Sequence, residues 1–191
     1  SRLDVRTTPV DRSLGDVHPF GNPHYHLSPQ VFMEAGQTIL NVLLSLDAKN
    51  TATYIKNYDT LNAKMKALSK KINSILKPAK GKTFMEYHRE FSYFLNEFGL
   101  RNLGTIETVP GVPPSAGRLA RVSINAKNAK VALALSSNNA PKKLTNRFQE
   151  LSGVKVLRRL VSLRYKKGKL ESYFSYQINL AKSIVKNLKA K

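Results

Sequence analysis

The second half of the chain alternates short apolar runs with amphipathic stretches, and this alternation constrains the fold more than any other feature. Four apolar runs after Gly81 predict strands at 83–87, 103–109, 131–135 and 154–157. Helical periodicity predicts helices at 90–98, 114–128, 141–151 and 172–189. Strands that alternate with helices form mostly parallel sheets flanked by helices on both faces. The prediction is therefore an α/β fold with such a sheet.

Two helices are predicted ahead of this sheet. Ser28 supplies a hydroxyl N-cap and Pro29 a favourable first helical residue, and apolar residues at helical spacing extend the first helix to about residue 46. The second helix carries an apolar stripe from Tyr54 to Ile75 and ends near Pro78, because proline blocks continuation. Such a long stripe without glycine indicates a stiff strut that lies across other structure.

The first 28 residues are rich in turn-forming residues and are predicted to be extended or looped. The expected organisation is a loop segment over 1–28, a helical segment over 29–80 and an α/β lobe over 81–191. Because the chain starts at Ser1 and not at a methionine, we expect a processed product or a fragment.

The formal net charge is +20, from 32 basic and 12 acidic side chains. Such a charge attracts nucleic acids, anionic membranes or acidic proteins, whatever the fold. Most of the lysines, however, fall on the outward faces of predicted helices, and the sequence contains neither an aromatic RNA-binding motif nor a zinc-finger spacing. We therefore expect no specific nucleic-acid partner. The absence of cysteine excludes disulfides and thiolate metal sites.

Signatures of catalysis are missing from the sequence. There is no glycine-rich phosphate loop and no nucleophile elbow. Only His88 and Glu90 are plausible local candidates for a general base. We therefore expect that the protein is not an enzyme.

Two histidines stand at positions suited to a metal site. His24 lies in a loop flanked by prolines just before a predicted helix, and His88 lies at the end of a predicted strand. Ligands of open parallel sheets bind beyond the carboxyl ends of the strands, which is where His88 is expected. From these positions alone, a metal site and a merely polar loop both remain open, because loop histidines often bond only to carbonyls or solvent.

Five stretches resemble, in order, the motifs of the cluster A-I family, the periplasmic solute-binding proteins of zinc and manganese ABC transporters. GDVHPFGNPHYHLSP resembles the family pattern GDVHPxGNPHxWxDP. The other four stretches are DAKNTATYIKNYDTLNAKM, TFMEYHREFSYFLNEFGL, TIETVPGVPPSAGRLARV and ESYFSYQINLAKSIVKNL. Because the resemblance covers essentially the whole chain, the protein is identified as a member of this family.

The resemblance implies two α/β lobes joined by the long helix, with one metal ion between them. By position it implies that His24 and His88 are ligands, and that Glu171 stands where many members have a ligand aspartate. The family tryptophan after NPH is His26 here. The family's opening lobe is expected ahead of residue 1, so the chain resembles a form that lacks most of the N-terminal lobe.

Further site residues are predicted around these ligands. His18 and His26 are candidates for an additional ligand or for bracing the loop, with His24 favoured over His26 because alternate residues of an extended loop point to opposite sides. Glu107 is a candidate for orienting a ligand imidazole.

The implied function is capture of Zn²⁺, or alternatively Mn²⁺, for a membrane permease of an ABC transporter. The implied location is periplasmic or extracytoplasmic, where a membrane-anchored lipoprotein is one form that fits. The alternative is a basic polyanion-binding or surface adhesion module that has lost full metal-binding capacity through truncation.

Overall fold

The computed structural model describes residue 18, residues 20–166 and residues 168–189. Residues 1–17 and residue 19 of the loop predicted over 1–28 therefore lie outside the described residues. The helices are α1 (Pro29–Leu46), α2 (Thr51–Ile75), α3 (Ser92–Glu97), α4 (Ala116–Asn128), α5 (Lys142–Ser152) and α6 (Tyr173–Lys189). The strands are β1 (Thr83–Glu86), β2 (Arg101–Thr105), β3 (Leu133–Ser137), β4 (Val156–Arg159), β5 (Tyr165–Lys166) and β6 (Lys169–Leu170).

The main sheet is parallel throughout and has the strand order β2-β1-β3-β4. Its register places Glu86 of β1 beside Leu135 of β3, and Leu135 beside Leu157 of β4. The predicted α/β fold with a mostly parallel sheet is thereby confirmed. The short antiparallel hairpin of β5 and β6 was not predicted.

Helices cover both faces of this sheet because its side chains alternate between two cores. On β1, Phe84 joins the core formed with α2, α3 and α6, whereas its neighbour Met85 joins the core formed with α4 and α5. On β3, Leu135 and Ala134 divide in the same way. This period of two is the expected geometry of a strand.

Helix α1 has the predicted bounds, and Ser28 caps it by accepting a hydrogen bond from the Val31 amide at 3.1 Å. Its predicted apolar stripe nevertheless remains largely exposed, with 61% of Ile39 and 79% of Leu46 accessible. The buried residues of α1 include Val31, Met33 and Leu40, because α2 packs on that side of the helix.

A short 3-10 turn, His24–Leu27, precedes α1 where an extended loop was predicted. Leu27 is fully buried in the core, and the carbonyl of His26 accepts a hydrogen bond from the Tyr173 hydroxyl at 2.8 Å. The amide of Gln177 donates to the Leu27 carbonyl at 3.0 Å. These contacts hold the turn against α6.

Among the described residues, no helix combines the length and the apolar character that crossing a membrane requires.

Candidate metal centre

Three histidines meet near the carboxyl end of β1. Ring nitrogens of His18, His24 and His88 lie within 4.8 Å of one another. The ring centroids of His18 and His24 are 5.8 Å apart, and so are those of His24 and His88. Nitrogen ligands at ~2.0–2.1 Å from a tetrahedral zinc ion stand roughly 3.4 Å from each other. Side-chain adjustments on the order of 1 Å would therefore place all three rings on one ion.

His24 is held by the side chain of Asn22. The Asn22 Oδ1 atom lies 2.8 Å from His24 Nδ1 and also accepts from the His24 amide at 3.0 Å. The Asn22 side-chain nitrogen donates to the Arg89 carbonyl at 2.9 Å, which fixes the orientation of the amide group. Because the oxygen can only accept, His24 Nδ1 carries the hydrogen, and Nε2 keeps the lone pair that a metal needs.

His88 is held by the carboxylate of Glu107. The Glu107 Oε2 atom lies 2.7 Å from His88 Nδ1, and its Oε1 atom accepts from the Gly111 amide at 3.0 Å. The glutamate side chain is only 8% exposed, against 22% for the imidazole. A carboxylate in this position fixes the tautomer of a ligand histidine and raises its strength as a ligand. The lone pair of His88 is thereby left on Nε2.

The pKa of His24 is lowered to about 4. Burial is the largest cause, and the neighbouring charges of His88, His26 and His18 act in the same direction. The His24 imidazole is therefore neutral at pH 7. A neutral imidazole is the form that binds metal ions.

His26 does not join the cluster. Its Nε2 atom bonds to the carbonyl oxygen of Val161 at 2.8 Å, so this nitrogen carries the hydrogen. Its ring centroid is 6.3 Å from that of His24. Because residues 24–27 form a 3-10 turn, the separation of the two rings comes from the turn and not from the alternation of an extended loop.

Glu171 also lies apart from the histidine cluster, which is the one such group found among the described residues. Its carboxylate pairs with Arg164 Nε at 3.3 Å and accepts from Asn179 Nδ2 at 3.5 Å. Burial acts to raise the pKa of Glu171, but the hydrogen bond and charge of Arg164, with help from Asn179, bring it below its usual value. The carboxylate is therefore ionised and paired.

Two further residues complete the surroundings: Asn22, which the sequence did not single out, and Glu90, which the sequence suggested only as a candidate general base. Asn22 orients His24. The backbone carbonyl oxygen of Asn22 also accepts a hydrogen bond from the Tyr93 hydroxyl at 3.0 Å, which ties the loop to α3. Glu90 is buried and its Oε2 atom accepts from the Ser137 amide at 3.1 Å. Burial raises the pKa of Glu90, and the neighbouring His88 opposes that rise. The position of Asn22, two residues before His24, is a signal that could have been found, because Asn side chains bond to backbone two residues on.

The chain is similar to proteins of metal uptake. The family model described as "ZnuA: Zinc-uptake complex component A periplasmic" matches residues 4–187. The zinc-binding lipoprotein AdcA of Streptococcus pneumoniae serotype 4 is 32% identical over 179 residues, which are 92% of this chain and 34% of that protein. The high-affinity zinc uptake system protein ZnuA of Brucella abortus (strain 2308) is 32% identical over 99 residues, which are 52% of this chain and 30% of that protein.

A solved structure shares the fold. The solute-binding protein FpvC of Pseudomonas aeruginosa, in complex with Mn²⁺, superimposes with a TM-score of 0.75 at 22% identity, covering 97% of this chain and 68% of that one. The chain thus spans about a third of the length of the curated relatives that it matches.

Proposed function

This chain belongs to the family of periplasmic zinc-uptake components A, and we propose that it captures a divalent transition metal ion outside the cytoplasmic membrane and passes it to the permease of an ABC transporter. The observation that supports this proposal is the cluster of His18, His24 and His88. Two of these rings have their Nδ1 atoms bonded to acceptors, which leaves their Nε2 atoms free to bind the ion.

We assign the ligand roles from these contacts. His24 and His88 are the central pair, and Asn22 and Glu107 orient them. His18, which is exposed, supplies the third imidazole. Glu171 stays a predicted ligand on the basis of its place in the motif. To reach the ion its carboxylate must first leave Arg164.

The donor set favours zinc over manganese. Imidazole nitrogens suit zinc, whereas manganese prefers carboxylate, carbonyl and water oxygens. Entry of the Glu171 carboxylate would add an oxygen donor and improve the site for manganese. Both metals occur among the similar proteins: AdcA is named a zinc-binding lipoprotein, and the FpvC structure holds Mn²⁺. Zn²⁺ is therefore the proposed cargo and Mn²⁺ the alternative.

The capture step is tested by titrating metal-free protein with Zn²⁺ in competition with a chromophoric chelator at pH 7. We expect one zinc ion per chain. His24→Ala and His88→Ala should each lower the affinity by more than about 100-fold, which exceeds the ~10–100-fold effect of residues that only orient ligands. His26→Ala is the matched control, because its ring bonds to Val161 and should leave the affinity nearly unchanged. A wild-type protein without zinc affinity, or equal losses in all three variants, would refute this assignment.

The transfer step has a separate test. Deletion of the gene should slow growth in medium from which zinc has been chelated, and added zinc should restore growth. Re-expression of the His24→Ala variant should fail to restore growth in the chelated medium. Normal growth of the deletion strain in an otherwise transporter-deficient background would contradict a role in uptake.

A further inference from the structure

A cavity lies on the face of the main sheet that α4 and α5 cover, between edge strand β2 and helix α4. It has a volume of about 330 Å³ and is lined by Leu103, Gly104 and Thr105 from the strand side and by Arg118, Arg121 and Asn125 from the helix. The two arginines and the asparagine stand at spacings of three and four residues, so they share one face of α4. This volume falls within the range of small-molecule sites.

Arg118 carries a buried donor that has no partner. Its Nε atom is shielded from solvent and makes no hydrogen bond within the part of the chain that the structure describes. Buried polar groups are almost always bonded, and leaving one unbonded is costly, more so when the group is charged. Arg118 also lines the cavity, so a guanidinium group with one unbonded donor stands beside a space that an acceptor from outside the protein could occupy.

The local electrostatics select an anion as that acceptor. Arg118 and Arg121 lie in the first two turns of α4, at the positive end of the helix dipole, where cationic side chains are unfavourable and anions are stabilised. No acidic side chain lines the cavity to compensate them. Stabilisation of the helix therefore does not explain the two positive charges.

A cavity lined by lysines at the amino edge of the sheet provides a contrast. Lys82, Lys127, Lys130 and Lys155 line it. This edge is where α4 and α5 end, so the lysines are matched to the negative ends of helix dipoles. Their placement therefore has an explanation within the fold, and this larger cavity gives no comparable indication of a ligand.

We propose that the cavity between β2 and α4 is a binding site for a compact oxyanion, a phosphate or a small carboxylate, held by the guanidinium groups of Arg118 and Arg121. Planar guanidinium groups bind two oxygens of such anions in parallel, which a lysine cannot reproduce. The Asn125 amide adds a neutral donor, and Leu103 forms part of an apolar wall suited to a short carbon chain. The site uses none of the metal-binding histidines.

The test measures binding of inorganic phosphate and, separately, of succinate to the metal-free full chain by calorimetry in a chloride buffer. We expect saturable one-to-one binding of at least one anion. The anion that binds more tightly shows whether the site prefers a phosphate or a small carboxylate. Arg121→Gln, at an exposed position, should weaken it by about tenfold or more, and Arg118→Lys should weaken it although the charge is kept.

Lys127→Gln is the matched control, because it removes one positive charge from the same helix outside this cavity. It should change the affinity less than about twofold, which is the effect expected of a charge removed only from the general field. Equal weakening by Lys127→Gln and Arg121→Gln would show that the anions respond only to the net charge, and would overturn the proposal. Absence of saturable binding of both anions by the wild type would overturn it as well.

Discussion

Replacement of Glu107 by glutamine probes how the protein tunes its candidate metal centre without removing a ligand. The Glu107 carboxylate accepts from His88 Nδ1 at 2.7 Å and from the Gly111 amide at 3.0 Å. The amide of glutamine keeps the size of the side chain and one accepting oxygen, but it removes the negative charge. We expect Glu107→Gln to weaken zinc binding by about 10–100-fold, the usual effect of losing the partner of a ligand histidine.

The magnitude can be checked against the electrostatics of the site. Adding the 2.7 Å hydrogen bond to the width of an imidazole ring and a Zn–N bond places the carboxylate roughly 6.5 Å from a bound ion. A charge of −1 and a charge of +2 at that distance attract by about 1.3 kcal/mol in water and about 5 kcal/mol at an effective dielectric constant of about 20. The expected loss of 10–100-fold corresponds to about 1.4–2.8 kcal/mol and lies between these limits.

The assay is a chelator competition at pH 7 with Glu107→Gln, the wild type and Glu150→Gln. Glu150 is the control because its carboxylate is 62% exposed and pairs with Arg147 on the surface of α5. Surface pairs contribute little, so Glu150→Gln should bind zinc like the wild type. Zinc affinity that stays unchanged in Glu107→Gln, while thermal unfolding shows an intact fold, would refute the role given to this carboxylate.

Three further results are expected. His18→Ala should lower zinc affinity more than Glu171→Gln in the chelator competition, because only His18 lies in the cluster; the reverse order would move the third ligand to Glu171. The metal-free protein should lose about 1–2 kcal/mol of unfolding free energy as the pH falls from about 6.5 to about 4. In this range His24 of the unfolded chain is protonated, whereas folded His24, with a pKa of about 4, stays mostly neutral. The free energy that corresponds to the whole pKa difference is halved here because the ring is partly exposed. Urea titrations of wild type and His24→Gln at several pH values measure this loss. If the unfolding free energy changed with pH by the same amount in both proteins, the role given to His24 would be contradicted. Ile72→Ala should cost about 2–5 kcal/mol in urea unfolding because Ile72 is fully buried, whereas Ile39→Ala, at a side chain 61% exposed, should cost less than about 0.5 kcal/mol.

The architecture was predictable because it depends on local periodicity. The helix from Pro29 to Leu46 has its predicted bounds, and each predicted strand of the parallel sheet lies within a few residues of an observed one. What periodicity does not supply is the partner of an apolar face. The apolar residues of α1 that include Ile39 lie on one face of the helix, as predicted, but this face is largely exposed. Helix α2 packs against other residues of α1. The burial of a helix face depends on distant parts of the chain, which a pattern of spacing does not contain.

The candidate site was predictable to the extent that it follows the strand ends and the motifs. His88 could be placed by the end of a strand, and His24 by the motif that it shares with the family. The approach of His18 to both, and the pairing of Glu171 with Arg164, depend on how loops fold back. Arg164 reaches Glu171 because the hairpin of β5 and β6 between them turns the chain back on itself. This lysine-rich stretch carries no clear strand signal. Long-range contacts of this kind could not be derived from the residues nearby.

The net charge of +20 is compatible with the proposed capture of a cation at this centre. Charges of exposed lysines are largely screened by salt beyond about 10 Å, whereas buried or partly buried pairs are screened much less. Two of the chain's 12 acidic side chains, Glu90 and Glu107, are buried beside the histidine cluster, and Glu107 bonds directly to His88. A divalent ion held by the imidazoles would therefore be attracted by the buried carboxylate of Glu107, whose charge is screened less than those of the surface lysines. The distribution of charge, more than its sum, makes metal capture compatible with so basic a surface.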